Sequence, residues 1–160
     1  NQLRNEPSDW RSGLVGVLGS DLDTPRGYYT KKWVRNTNEG NYVSNIKLLR
    51  MSEAYLNRIE ALFNMGNTAD ALIYLKEFQL NRGKTPDQTI SLEKILTERQ
   101  KEFFAEGQRY VDLKRNALPI VKDTNCEQNC NVPISNRLFV IPIPYYEVNI
   151  NPNIKQYPDW

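Results

Sequence analysis

The sequence predicts a mostly α protein that has an irregular N-terminal segment and an extended, proline-containing C-terminal strap. Three observations support this fold class. Apolar residues recur at helical spacing between residues 46 and 115, glycines interrupt that spacing, and the stretch LFVIPIP follows it. We expect one domain over 1–160, with a strand-like lead-in over 1–45, a helical core over 46–115, and a loop and strap over 116–160.

The lead-in carries turn-forming and aromatic residues without helical periodicity. Its segment YYTKKWVR, residues 28–35, has the composition of a strand and precedes the loop NTNEGN. The aromatic side chains could stack on sugar rings, or they could cover the neighbouring helices, which is the commoner role of such residues. The candidate stacking residues are Trp10, Tyr28, Tyr29, Trp33 and Tyr42.

The first predicted helix covers residues 45–65. Ser44 precedes it as a typical N-cap residue, and Gly66 follows it as a typical C-terminal residue. Apolar residues at helical spacing predict which side of this helix faces the core. They are Leu48, Met51, Tyr55, Ile59 and Leu62.

The second predicted helix covers residues 68–82 and ends before Gly83. Asn67 is its predicted N-cap, and Asp70, three residues on, completes a shortened capping box. Its predicted buried face consists of Ala71, Leu75 and Phe78. Because of the small alanine and the glycine at the turn, the two helices resemble one helical hairpin of the tetratricopeptide type.

The stretch TERQKEFFAEGQRYVDLKR predicts two further helices, 92–106 and 108–115, with Gly107 between them as a left-handed cap or kink. Arg99 lies on the same face of the first of these helices as Phe103. A guanidinium on a face that meets other helices needs a carboxylate partner. We expect a buried Arg99 that pairs with Glu53, Glu60, Glu102 or Glu106.

A glycosidase is the enzyme hypothesis that this stretch allows. Carboxylates four residues apart on a helix can lie within the roughly 5–10 Å that the chemistry requires. The candidates are Glu98, Glu102, Glu106 and Asp112. The core-facing position of the central arginine favours structural pairing instead, so we expect no enzyme activity and assign no catalytic residue.

Composition argues against several other functions. The chain has no histidine, which is the commonest metal ligand, and we expect no metal site and no cofactor. Its 21 basic and 19 acidic residues include no basic block, which argues against nucleic-acid binding. No apolar run reaches the ~18 residues of a membrane helix. Cys126 and Cys130 could form a local disulfide or remain two free thiols.

Three blocks of sequence resemble the SusD/RagB family, and they occur in the family's order. They are RMSEAYLNRIEA at 50–61, ERQKEFFAEGQRYVDLKR at 98–115, and IPIPYYEVNINPNIKQYP at 141–158. Asp-Trp-Arg at 9–11 also resembles the family's Asp-x-Arg segment. The sequence QLNRG at 79–83 departs from the R-x-R-A-G that the family tends to have there.

The resemblance implies the C-terminal portion of a Bacteroidota-type outer-membrane lipoprotein, anchored at the cell surface by a lipid on a cysteine outside this chain. Such proteins capture oligosaccharides, or sometimes peptides, without breaking a bond, and pass them to a TonB-dependent (SusC-like) transporter. Their ligand site lies largely outside the matching blocks, so we assign no ligand-binding residue and expect weak or absent glycan binding by this chain alone. A helical-hairpin module that binds a protein partner, without a nutrient role, is the alternative.

Overall fold

The computed structural model describes residue 3 and the ranges 6–18, 27–32, 48–122 and 126–158. The chain forms two compact units, Asn1–Gly107 and Gln108–Trp160. Helices account for most of the regular structure, which confirms the mostly α fold class. That a single domain spans residues 1–160 stays a prediction.

The elements of the first unit are a strand pair followed by three helices: β1 (Val15–Leu18), β2 (Gly27–Thr30), α1 (Met51–Asn64), α2 (Thr68–Leu80) and α3 (Leu92–Glu102). A 3₁₀ turn, Trp10–Leu14, precedes β1. The two strands are antiparallel, with Gly16 opposite Tyr29. Gly16 is needed there because the ring of Tyr29 occupies the space that a Cβ would fill.

The helices α1 and α2 pack against each other as the predicted hairpin, and α3 packs against α1. Gly66 lies at the turn with a φ of +82°, which suits a residue without a Cβ. The side chain of Asn67 accepts the backbone N–H of Asp70, so the predicted N-cap is confirmed. The buried core of the unit consists of Leu56, Ile59, Ala71, Leu75, Phe78, Ile95 and Phe103.

The start of α1 differs from the sequence prediction. The helix begins at Met51, whereas residues 48–50 are not helical, and Ser44 lies outside the described residues. Leu48 and Met51, which the helical spacing predicts to be buried, are exposed. The physical reason is that Arg50 is extended, with φ −131° and ψ 144°, and its side chain reaches carboxylates at and after the end of α3 instead of continuing the helix.

The end of α3 also differs from the prediction. The helix begins after Ser91, whose side chain accepts the backbone N–H of Lys94, and it ends at Glu102, four residues early. Ala105 and Gly107 both have positive φ, of 60° and 77°, and two such residues cannot continue a right-handed helix. The prediction of a left-handed Gly107 is confirmed.

The second unit contains α4 (Gln108–Arg115), β3 (Ile120–Val121), β4 (Asn131–Val132) and α5 (Tyr145–Ile150). The strands β3 and β4 form an antiparallel hairpin, and a disulfide joins Cys126 and Cys130 in the segment between them. Of the two alternatives for these cysteines, a local disulfide or two free thiols, the structure shows the disulfide. Three side chains form the small core of this unit: Leu113, Val132 and Phe139.

The predicted strap is extended only in part. Residues 137–139 form a 3₁₀ turn, residues 140–144 have no regular structure, and the short helix α5 follows. Ile143 lies between two prolines, and the side chain of Gln156 bonds its backbone on both sides, at 3.1 Å to the N–H and 2.8 Å to the carbonyl. The side chain of Gln156 thus satisfies the backbone of Ile143, whose neighbouring prolines cannot donate hydrogen bonds to an adjacent strand.

Candidate functional site

The segment around Trp10 packs against the C-terminal end of α2. The backbone N–H of Trp10 donates to the carbonyl of Arg82 at 3.1 Å, and its indole Nε1 donates to the carbonyl of Asn81 at 3.3 Å. Gly83, with a φ of +71°, permits this approach, because a Cβ there would lie 2.5 Å from the carbonyl oxygen of Ser8. Trp10 is thereby held at two points, although 54% of it remains exposed.

Arg11 anchors the same segment from its buried side. Its guanidinium pairs with Asp9 at 2.6 Å and with Glu102 at 3.2 Å, and it also pairs with Glu98. Asp9 accepts the backbone N–H of Arg11 at 3.0 Å, which caps the 3₁₀ turn. Because Glu98 and Glu102 belong to α3, these contacts fasten the N-terminal segment to the third helix.

Glu102, the last residue of α3, binds three arginines. It pairs with Arg11 at 3.2 Å, with Arg50 at 3.0 Å and with Arg82 at 3.0 Å. Arg50 immediately precedes α1, and Arg82 follows α2 by two residues. One carboxylate therefore joins the N-terminal segment to the ends of the three α-helices described in this unit.

Glu106 extends this network to the strand pair. Lys32, two residues after β2, pairs with Glu106 and donates to the backbone carbonyl of Glu102. Arg50 also pairs with Glu106, at 2.9 Å. The strand pair and the start of α1 are thus both tied to the turn that follows α3.

The network shifts the pKa of Glu102 strongly. Burial raises this pKa, but the hydrogen bond and the charge of Arg82, with hydrogen bonds from Ser52 and Arg50, outweigh burial and lower it from 4.5 to about 2. A carboxyl group with this pKa is ionised near neutral pH. It cannot donate a proton to a leaving group, as the acid of a glycosidase must.

The other carboxylates of the glycosidase hypothesis also have structural partners. Glu98 is fully buried and pairs with Arg11 and, at 3.3 Å, with Lys84. Asp112 belongs to the second unit, where it pairs with Arg115 at 2.9 Å. The geometry therefore gives these residues a role in holding the fold.

The low pKa of Glu102 predicts how stability depends on pH. Since the folded-state pKa lies below the ordinary 4.5, the stabilisation is complete above pH 4.5 and is lost as the pH falls toward 2. The shift corresponds to about 3 kcal/mol in the free energy of unfolding. Urea unfolding at several pH values should show this decline, and Glu102→Gln should show a smaller one. A wild-type profile that is flat between pH 5 and 2.5 would contradict the assignment.

Arg99 is buried, as predicted, and its partner is on α1. Its Nε lies 3.9 Å from a carboxylate oxygen of Glu60, and its guanidinium donates to Asn57 at 2.7 Å. The guanidinium also lies 5.2 Å from the ring centre of Phe103. Glu60 is thus one of the four carboxylates that the sequence offers as partners of this arginine.

A cleft opens beside Trp10. Its volume is about 200 Å³, and it is lined by Met51, Ser52, Tyr55, Phe78, Asn81 and Arg82. Trp10 bonds the backbone of two of these residues, and the guanidinium of Arg82 lies 5.4 Å from the centre of its ring. The lining of the cleft thus combines apolar and aromatic side chains with an amide, a hydroxyl and a guanidinium.

The structure describes only part of the predicted aromatic platform. Trp10 and Tyr29 are both exposed, and Tyr29 has Lys31 5.8 Å from its ring centre. Tyr28 lies on β2, whereas Trp33 and Tyr42 lie outside the described residues. Whether these aromatic residues form one platform stays a prediction.

Sequence reasoning missed the basic half of the network and the lining of the cleft. Helical periodicity points to Arg99, but it does not point to Arg11 or Arg82, which lie outside the α-helices. The signals that could have found them were the Asp-x-Arg match at residues 9–11 and the arginine before Gly83. Both are local features whose partners are distant in sequence.

Two other kinds of site are absent from the described residues. No three histidine, cysteine, aspartate or glutamate side chains in that part of the chain are grouped so that they could hold a metal ion. Within the same residues, none of the helices has both the length and the apolar character needed to span a bilayer.

Comparison with known proteins gives consistent matches. A sequence profile of the SusD family matches residues 19–160. The starch-binding protein SusD of Bacteroides thetaiotaomicron is 29% identical over 137 residues, which cover 78% of this chain and 24% of that protein.

Solved structures resemble the chain along nearly its whole length. A candidate sugar-binding protein of Bacteroides vulgatus has a TM-score of 0.80 and 32% identity, with 99% of this chain and 37% of the other covered. A SusD superfamily protein of Bacteroides thetaiotaomicron has a TM-score of 0.79 and 30% identity, with 98% and 39% covered. The chain spans between about a quarter and two fifths of these relatives. The chain belongs to the SusD family.

Proposed function

We propose that this chain is part of a non-catalytic protein that captures glycans at the bacterial outer surface. The observation that carries the proposal is the match of a SusD family profile to residues 19–160, together with 29% identity to a starch-binding member. The geometry supports the non-catalytic part, because the carboxylates that a glycosidase would need are held by cations. Glu102 in particular remains ionised far below neutral pH.

The proposed role includes transfer of the captured glycan to a TonB-dependent transporter of the SusC type. The protein would reside at the outer membrane through a lipid anchor. Peptides are the alternative cargo. A partner-binding hairpin module without a nutrient role is less well supported, because the family profile also covers the strap at residues 138–158, which a plain helical repeat has no reason to carry.

Saturation-transfer NMR on the purified chain tests this proposal. The probes are a panel of neutral oligosaccharides (maltoheptaose, laminarihexaose, xylohexaose and mannohexaose) and, separately, a mixture of short peptides. We expect a weak glycan signal, with a Kd in the millimolar range, or none, since the chain spans about a quarter of its starch-binding relative. Binding of peptides without any glycan would favour the alternative cargo. Micromolar glycan binding in calorimetry would contradict the expectation that this chain holds only a small part of the site.

A further inference from the structure

We propose that one face of the strap is an interface with the portion of a SusD fold that this chain does not contain. This strap face consists of Ile141, Tyr145, Tyr146, Ile150 and Tyr157. The interface depends on family membership and on the exposure of these side chains, not on any ligand. It therefore goes beyond the proposed capture of glycans and gives the second unit a protein partner.

The strap face concentrates large apolar side chains that are open to solvent. Between 48% and 80% of each of its five residues is exposed. Within α5, Tyr146 and Ile150 are four residues apart and therefore lie on the same side of the helix. Single exposed apolar residues are common on soluble proteins, but a group of them in one short segment marks an interaction site.

Hydrogen bonds of Gln156 bring the strap face into one region of the unit. Its side chain holds the backbone N–H and carbonyl of Ile143 at 3.1 and 2.8 Å, and it also accepts the backbone N–H of Tyr157 at 3.0 Å. Tyr157 is thereby held beside the segment that carries Ile141 and Tyr145. Residues from the two ends of the strap thus contribute to a single surface.

Residues 141–158 form an ordered segment in which no side chain is buried. None of the residues of α5 is buried, and the half-buried residues of the segment are Ile143, Val148, Ile154 and Gln156. A helix of this length is not stable alone in water. An ordered terminal segment has to bury apolar surface to offset the conformational entropy that it loses. A partner is therefore needed to supply the burial that this segment does not have.

The composition of the strap face is that of a permanent protein interface. Between residues 141 and 158, Glu147 and Lys155 are the only charged side chains. The buried core of a protein interface is typically depleted in charged residues and enriched in aromatic ones, tyrosine included. A partner with an apolar surface fits this face. A nucleic acid or an anionic membrane surface does not fit it, because each would require a cluster of basic residues.

The length of the solved relatives identifies the partner. The candidate sugar-binding protein of Bacteroides vulgatus matches 99% of this chain, so the match includes the strap, but only 37% of that protein is covered. For the SusD superfamily protein of Bacteroides thetaiotaomicron, the two shares are 98% and 39%. More than half of each relative therefore has no counterpart in this chain. That portion of the fold is the polypeptide that covers the strap face.

The test compares this chain alone with a chimera in which this chain replaces the matched 37% of the Bacteroides vulgatus relative. The double variant Tyr145→Ser, Tyr146→Ser is made in both. In this chain alone, the midpoint of urea unfolding should stay within about 0.2 M of the wild-type value, because neither tyrosine is buried. In the chimera, the midpoint should fall by about 0.5–1 M, because both tyrosines are buried against the rest of the fold.

Hydroxyl-radical labelling gives a second readout that does not depend on stability. Tyr145 and Tyr146 should be labelled readily in this chain alone and about tenfold more slowly in the chimera. Val121, an exposed apolar residue of β3 in the same unit, supplies the matched control. Val121→Ser should shift the midpoint of urea unfolding equally in the two proteins.

Three outcomes would overturn the interface. In the first, the double variant changes neither protein and the two tyrosines are labelled equally in both. In the second, sedimentation equilibrium shows that this chain alone forms a dimer that the double variant dissociates, so that a second copy covers the face. In the third, maltoheptaose protects the two tyrosines from labelling in this chain alone, which would assign the face to a glycan.

A smaller chimera keeps the test decisive where the whole exchange does not fold. It exchanges only residues 138–158 for the matching strap of the relative and is measured in the same way. If neither chimera unfolds cooperatively, the rest of the fold does not accept this strap, and the interface is overturned. None of the chimera measurements involves a glycan, so their failure leaves the proposed capture function standing.

Discussion

Replacing Glu102 by Gln should lower the free energy of unfolding by about 3–5 kcal/mol at neutral pH. Glutamine preserves the shape of the side chain but removes the charge that Arg11, Arg50 and Arg82 share at 3.0–3.2 Å. The three guanidiniums would then be left close together with less compensation, which costs more than the loss of one surface pair. Since a domain is typically stable by only ~5–15 kcal/mol, urea denaturation followed by circular dichroism should detect the change easily.

Glu93→Gln is the matched control for this experiment. Glu93 lies on the same helix, carries the same charge and is more exposed than Glu102. A surface substitution of this kind usually changes stability by less than about 0.5 kcal/mol. Equal and small losses in both variants would show that the network is a solvated charge cluster, and the structural interpretation of Glu102 would then be wrong.

The helical part of the fold was predictable because local rules agree with each other there. Asn67, the small Ala71 and Gly66 each predict the hairpin, and the structure confirms all three. The helix limits were less predictable where a long-range contact competes with local preference. Residues 48–50 continue the helical pattern of the sequence, but the structure leaves them non-helical, with the side chain of Arg50 on Glu102 and Glu106.

The candidate site was less predictable for the same reason. The buried position of Arg99 follows from its place on one helix, but the contacts of Arg11 span 87 residues to Glu98 and 91 to Glu102. No periodicity links residues that far apart. The placement of Trp10 likewise depends on how the segment before β1 approaches Gly83, and this approach is visible only in three dimensions.

The network and the cleft are physically connected through Arg82. The same side chain pairs with Glu102, donates to Ser52 in the cleft and lies 5.4 Å from the ring centre of Trp10. Buried ion pairs are weak evidence for stability, because desolvation offsets much of their attraction. Their clearer effect here is geometric, since they fix where the N-terminal segment places its exposed tryptophan.

The second large effect should come from Arg11→Met, which we expect to lower the free energy of unfolding by about 3–5 kcal/mol. Arg11 is only 1% exposed, and methionine would leave Asp9, also 1% exposed, without the guanidinium that it binds at 2.6 Å. Glu98 would be affected less, because it keeps Lys84 at 3.3 Å and an amide hydrogen bond from Gln79 at 3.0 Å. Urea unfolding measures the loss, and hydrogen exchange at the Trp10 N–H shows whether the N-terminal segment detaches first.

Lys31→Met is the control for this variant, because it removes a positive charge from an exposed position of the same unit. It should change stability by less than about 0.5 kcal/mol. Arg11→Lys should fall between the two, since lysine keeps the charge but cannot present the planar fork that reaches Asp9, Glu98 and Glu102 together.

The double variant Arg11→Met with Asp9→Asn should recover part of the loss of Arg11→Met, because it removes the carboxylate that would otherwise stay buried without its cation. If the double variant loses as much stability as the sum of the two single losses, or more, the stabilising role of the Asp9–Arg11 pair is refuted. The network would then have to position the N-terminal segment through Glu98 and Glu102 alone.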